Sequence, residues 1–254
     1  MKKMLLLVFC LSLLLTAGPA WAINGLVGLG VGAAPDYEGS EDMQAVPMLM
    51  FNHNYDSGRY VKLLGPNLRV NLIADKAFSL GPILNYRGKR SDVDNDQVDR
   101  MDKVDAAIEA GVFAGYKVNN FSFEVEFLTD VSDEHDGSLA KASVGYHWKA
   151  SDRLSITPGV SLTYADSDYM DTYFGVNSGN RGSSSLSNYS ADSGIKDLGA
   201  NLVAHYTPWE NWGIMAIGSY SRLQNDAKDS PIVDDEGDAN QFFGGLMVTY
   251  RWSR

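Results

Sequence analysis

The sequence holds a single cysteine, Cys10, inside an apolar run near its start. A chain with no second cysteine has no disulfide framework. Positive charge is also scarce, at 21 Lys and Arg against 32 Asp and Glu. Setting aside Lys2 and Lys3 leaves 19 basic residues and a formal charge of −13. Nucleic-acid binding draws on Lys and Arg for phosphate contacts, so this balance argues against it. Beyond the first 22 residues there is no second apolar run near 18 residues, which excludes a transmembrane helix from that part of the chain.

The first residues read as an export signal. Lys2 and Lys3 form a basic segment, and Met4 to Leu15 an apolar one too short to span a bilayer as a helix. Ala20-Trp21-Ala22 supplies the small-x-small pattern of a cleavage site. The expected organisation is a signal peptide over 1–22, cleaved after Ala22, and one domain over 23–254.

What the chain has in abundance is period-2 alternation, in segments of about ten residues. Leu154, Ile156, Pro158, Val160, Leu162 and Tyr164 alternate with Ser155, Thr157, Gly159, Ser161 and Thr163. Phe121, Phe123, Val125 and Phe127 alternate with Ser122, Glu124 and Glu126. Segments 104–116, 140–149 and 198–206 repeat the pattern. A soluble sandwich also alternates, but here the polar faces are rich in Gly, Ser and isolated charges, as a barrel lumen requires. Connections are unequal in length as well. Short ones fall at Asp75-Lys76, Val118 to Asn120, Ala150 to Asp152 and Pro208 to Asn211; long ones span 88–103, 165–194 and 225–239. Short periplasmic turns and long outer loops are the habit of membrane barrels. Only a helix or a closed barrel crosses lipid with its backbone satisfied.

The expected fold is therefore all-β, an antiparallel up-and-down transmembrane β-barrel. Twelve strands are expected near 24–34, 44–53, 59–64, 67–74, 77–87, 104–117, 121–131, 138–149, 153–165, 195–207, 212–224 and 240–252. The count depends on Gly65-Pro66 turning the chain, because proline cannot donate within a central ladder; ten strands is the alternative. Under this topology Trp148, Trp209, Trp212 and Trp252 all fall at periplasmic strand ends, where amphipathic rings form a girdle. The last strand ends on Leu246, Val248, Tyr250 and Trp252, which resembles the insertion signal of outer-membrane barrels, except that Ser253 and Arg254 follow.

Alternation sends Glu109, Lys117, Glu124, Glu126 and Lys141 into the lumen, together with His147, Lys149, His205 and Arg251. Gly28, Gly30 and Gly32 lack the spacing and following helix of a nucleotide loop, and read as small lumen-facing residues. Asp92 to Asp99 suggests calcium, but Gln97 and Lys103 stand where a twelve-residue calcium loop needs Gly and Glu. That loop and the cluster Asp234, Asp235, Glu236 and Asp238 read as solvated outer loops, with weak divalent-ion binding left open. His135, within Asp133-Glu134-His135-Asp136, has carboxylates beside it but no nucleophile or oxyanion donor. The sequence thus reads as a non-enzyme with no cofactor or fixed metal.

Several motifs occur in order along the chain: Gly28-Leu-Gly-Val-Gly32, Pro35-Asp-Tyr-Glu-Gly-Ser40, Gly81-Pro-Ile-Leu-Asn-Tyr-Arg87, Tyr169-Met-Asp-Thr-Tyr-Phe-Gly-Val176 and Asp229-Ser-Pro-Ile-Val233. Together they resemble the MipA/OmpV family of outer-membrane proteins. The resemblance implies a barrel in the outer membrane, surrounded by lipid and lipopolysaccharide. It also implies a scaffold role toward a lytic transglycosylase and a penicillin-binding protein. The loop motifs make Tyr173, Phe174, Gly175, Val176, Ser230, Pro231, Ile232 and Val233 candidate partner-contact residues. A narrow solute channel and a surface adhesin using loop 165–194 are the alternative functions.

Overall fold

The structure, a computed structural model, describes residues 24–252. The signal peptide expected over 1–22 and the Ser253-Arg254 tail lie outside the described residues. The strands are β1 (Asn24–Pro35), β2 (Met43–Asn54), β3 (Tyr60–Leu64), β4 (Asn67–Asn71), β5 (Phe78–Arg87), β6 (Ala107–Val118) and β7 (Phe121–Asp130). They continue as β8 (Ser138–Tyr146, resumed after His147 by Trp148–Lys149), β9 (Leu154–Ala165), β10 (Gly194–Tyr206), β11 (Trp212–Leu223) and β12 (Asn240–Trp252). Each strand pairs antiparallel with its sequence neighbours, and β1 closes on β12 from Gly25↔Trp252 to Ala33↔Gly244. The result is a closed barrel of twelve strands, and Gly65-Pro66 does turn the chain between β3 and β4. Gly65 takes φ +54 there, a conformation glycine adopts without steric penalty.

The period-2 pattern explains which face looks out. Leu29, Val31, Val112, Val125, Phe127, Val160, Leu246 and Val248 are all exposed, Leu29 by 64%. So broad an apolar exterior belongs in lipid, not in water. Trp148, Trp209 and Trp212 are exposed and lie with Trp252 at the barrel end that holds both Asn24 and the end of β12. That is the aromatic ring expected at one membrane interface.

Two strands are shorter than expected for definite reasons. β4 ends at Asn71, whose side chain replaces ladder bonds. Its amide donates to Gly58 and Ile73 carbonyls at 2.9 and 3.1 Å, and its oxygen accepts from Ile73 and Leu80 N–H. β6 starts at Ala107 because Val104 pairs with Arg90 outside the wall and is buried there.

The long loops hold helices that alternation does not reveal: α1 (Asp96–Asp99), α2 (Ser167–Phe174), α3 (Ser178–Ser184), α4 (Asn225–Asp229) and α5 (Pro231–Asp234). The lumen is also less polar than expected. Met48, Met50, Met215 and Met247 form a buried cluster with Leu26, Leu64, Val203, Ile217 and Phe243. Gly28, Gly30, Gly32 and Gly245 face this cluster, and a methyl at Gly245 would overlap Met48 Sδ. The glycines leave room for long thioether chains, which fill irregular space well.

Candidate functional site

The outer mouth of the barrel is roofed. Asp166 caps α2, its carboxylate accepting the Tyr169 N–H at 3.0 Å. The helix then buries Tyr169, Met170, Tyr173 and Phe174 on one face, against Leu139, Leu223, Ala227 and Val233. Ser230 caps α5 through Ile232 N–H at 3.2 Å and donates its hydroxyl to the Phe174 carbonyl at 2.6 Å. Arg90 donates to the Tyr173 carbonyl at 2.8 Å, and Val176 pairs with Tyr189. The acidic loops join in, since Glu236 accepts from Asn95 and Gln97 side chains.

This corrects the surface role expected for the loop motifs. Tyr173, Phe174, Gly175, Val176, Ser230, Pro231, Ile232 and Val233 are all buried. Their apolar character serves the roof's own packing. Residues that a sequence reading assigns to partner contact instead hold loops 166–193 and 224–239 together.

Beneath the roof lies a network of charged and polar groups drawn from distant parts of the chain. Glu109, on β6, is fully buried; it takes Arg87 Nε at 2.6 Å and Asn85 at 2.8 Å, and lies 3.2 Å from His135 Nε2. Glu38 is bound by Lys196, lies 3.8 Å from Arg87, and accepts the Tyr169 hydroxyl. Lys196 also meets Asp197 at 2.6 Å, and Thr163 donates to Asp197 at 3.0 Å. The Arg87 guanidinium lies over the rings of Tyr169 and Tyr173 at 4.8 and 5.6 Å. Burial alone would raise the Glu38 carboxyl, but Lys196 and Arg87 more than reverse this and hold it below its ordinary value. Burial pushes the Tyr37 phenol up to about 12 and raises the Tyr173 phenol further.

Halfway down the lumen Arg69 bridges Glu124 and Glu126, the latter at 2.8 Å. A cavity of about 450 Å³ separates the two networks; Arg69, Glu126 and Lys141 lie on its lower side and Arg87, Lys196 and Asp197 on its upper. Lys117 shares the inward face of β6 with Glu109, eight residues nearer the periplasmic end. Toward the periplasmic end His205 lies 2.9 Å from Thr249 and His147 lies 3.2 Å from Thr157. All five lumen candidates therefore stand on the inner face. Only Glu109, Glu124 and Glu126 have bound cations.

His135 is held for structure. Its Nδ1 accepts the Gly137 N–H at 3.1 Å, which leaves the proton on Nε2, toward Glu109. Asp130 fixes the loop by accepting backbone N–H from Ser132, Glu134, His135 and Asp136. With Nδ1 bonded to Gly137 and Nε2 buried 3.2 Å from Glu109, this histidine is packed into the loop beneath the roof.

Comparison with known proteins finds relatives of the chain. The family model described as MltA-interacting protein MipA matches residues 27–252. The outer-membrane protein YiaT of Escherichia coli is 30% identical over 144 residues, covering 57% of this chain and 58% of that protein. The match thus spans less than two thirds of that relative. Outer membrane protein OmpV of Vibrio cholerae is 30% identical over 176 residues, 68% of this chain and 66% of that one. The MltA-interacting protein of Escherichia coli is 23% identical over 235 residues, 92% and 94% of the two chains. Among solved structures, the translocator domain of the autotransporter NalP from Neisseria meningitidis aligns over 99% of this chain and 95% of its own, at 12% identity and a TM-score of 0.48. A closed twelve-stranded barrel, an apolar exterior and a family match along nearly every described residue lead to one statement: the chain belongs to the MipA/OmpV family of outer-membrane β-barrel proteins.

Proposed function

We propose that this protein is a non-enzymatic scaffold, exported with removal of residues 1–22, that holds peptidoglycan-remodelling enzymes against the inner face of the outer membrane. A lytic transglycosylase is the first partner, in keeping with the name of the relative that aligns over 92% of the chain. A penicillin-binding protein is the second. The observation that carries this reading is the closed outer mouth. Transport requires a passage, and a roof that packs Tyr169 and Phe174 across the mouth speaks against a wide one. Docking requires only a solvated rim, and the periplasmic turns offer one of mixed charge, with Asp75, Lys76, Asp152, Arg153 and Glu210.

The test is a pull-down of envelope proteins on the detergent-solubilised barrel, with an unrelated barrel as control. Selective recovery of a lytic transglycosylase, lost on reversing Asp75, Asp152 and Glu210 to Arg, supports the scaffold. Recovery of nothing beyond the control overturns it. A narrow channel is the second reading, favoured by the charged cavity of about 450 Å³ within the lumen. It requires bilayer conductance that changes when Glu124 or Lys141 is neutralised.

A further inference from the structure

The barrel wall has a notch in its outer half. β3 and β4 are five-residue strands, and their turn stops six residues short of the top of β2 and two short of the end of β5. β2 pairs with β3 only from Met50↔Leu64 downward, with one further bond from Gly65 N–H to the Leu49 carbonyl. Above that point residues 43–48 of β2 pair with β1 and, among the described residues, with no strand on the other side. On the far side of the notch, β5 leaves β4 after Asn67↔Asn85, apart from Tyr86 N–H bonded to the Pro66 carbonyl. Backbone polarity alternates along a strand. Because Leu49 turns its carbonyl toward β3, Pro47, Ala45 and Met43 turn their backbones toward the notch. Pro47 has no N–H to leave unsatisfied there. The flanking Leu49, Leu84 and Tyr86 side chains are exposed on the lipid face.

Behind the notch is a second cavity of about 580 Å³, bounded by Val46 of β2 and Tyr86 of β5 and reaching Arg90 and Tyr173 under the roof. Its size is that of a small-ligand pocket. Arg90 is 5% exposed, and its Nε has no hydrogen-bond partner; the Tyr173 hydroxyl is likewise buried and unpartnered. Three carboxylates also line the space. Glu38 is neutralised by Lys196 and Arg87, Asp92 by Lys89 and Lys103, and Asp36 accepts the Asp94 N–H. Among the described residues Arg90 forms no ion pair. A buried cation without a counter-ion is costly, and Arg90 and Tyr173 both border the cavity while each keeps a buried donor unused.

We propose that the notch is a lateral entrance from the membrane and that the cavity binds a single-chain amphiphile with an anionic head, the head on Arg90 and Tyr173 and the chain leaving past Val46 and Tyr86. A head group alone would need no opening into lipid.

The probe is palmitate carrying a diazirine on its chain, added to the full-length protein in liposomes, with the diazirine methyl ester as neutral control. After irradiation, labelled peptides are mapped by mass spectrometry. The expected result is labelling of peptides around Val46, Tyr86 and Tyr173 by the acid, and about tenfold less by the ester or by the acid on Arg90→Gln. Val46→Trp obstructs the entrance without touching the roof. It should remove cavity labelling and leave labelling of the outer belt, such as the β6 and β7 peptides, unchanged. Heat-modifiable migration in gels verifies that each variant is folded. Equal labelling by acid and ester, or cavity labelling that survives Val46→Trp, overturns the proposal. Competition by inorganic phosphate as effective as by palmitate itself would show a plain anion site and overturn the lateral route.

Discussion

Glu38 and Tyr169, 131 residues apart, are joined by a hydrogen bond of 2.5 Å in which the phenol donates to the carboxylate. One stands in the first outer loop and the other on the roof helix, so the bond fastens α2 to the β1–β2 connection. The same carboxylate binds Lys196. The roof therefore depends on Glu38 being charged.

That dependence has a pH signature. The folded Glu38 carboxyl lies below its ordinary value of 4.5. A depressed acid contributes stability that is fully present above the unfolded value and is lost as pH falls through the folded one. The roof should be closed at pH 7 and begin to loosen only as the pH falls below the ordinary carboxyl value of 4.5. Hydrogen exchange of 165–176 followed against pH measures this. Glu38→Gln should give the loosened state at neutral pH, with a loss of about 3 kcal/mol in local stability. Unchanged protection in Glu38→Gln would show that the bond does not hold the roof.

Phe174 tests the roof's apolar half. It is fully buried, and Phe174→Ala should cost about 3–5 kcal/mol within the roof through the cavity it leaves. The barrel below has its own ladder of hydrogen bonds. Protease nicking should rise within 165–194 while heat-modifiable migration of the barrel stays unchanged.

Arg69 governs the middle of the lumen, where it holds Glu124 and Glu126 together. Arg69→Gln leaves two carboxylates facing each other in a partly buried space, and unfolding in urea should show a loss of about 3 kcal/mol. The triple change of Arg69, Glu124 and Glu126 to Gln removes the repulsion with the attraction. It should recover to within about 1 kcal/mol of the parent.

The tryptophans report depth. Trp209 is 62% exposed at the barrel end that carries both described termini. Lipids brominated near the headgroup should quench the intrinsic fluorescence more strongly than lipids brominated near the chain ends. Stronger quenching by the deep bromines would place that end inside the hydrocarbon and contradict the topology.

The wall was legible in the sequence because lipid on one side and lumen on the other impose a strict period of two. Phe121, Phe123, Val125 and Phe127 alternate in the chain and lie exposed on β7. The roof was not legible, because α2 places Tyr169, Met170, Tyr173 and Phe174 together by a period near four over only eight residues. So short a run inside a polar loop gives little contrast, and the burial of Ser230 follows from a capping bond no composition reveals. The methionine cluster was missed for a different reason. Met48 and Met50 alternate with Leu49, so both faces of β2 are apolar there and the pattern does not say which is lumen. Glycines opposite them were the available signal. Gly245→Ala is therefore expected to displace Met48 and lower stability by about 1–3 kcal/mol, as overpacking does.

The bare flank of β2 has a consequence for how copies of this protein live side by side. Outer membranes are crowded, and an open strand flank is a template on which a neighbour's flank can zip into a common sheet. Pro47 sits at the foot of that flank, next above the last bonded residue Leu49, and offers no donor. Two copies pressed together along their notches would meet a missing donor at the foot of the seam, where pairing would have to begin. One imino acid thus removes one of the bonds that a neighbouring barrel could use at the open flank.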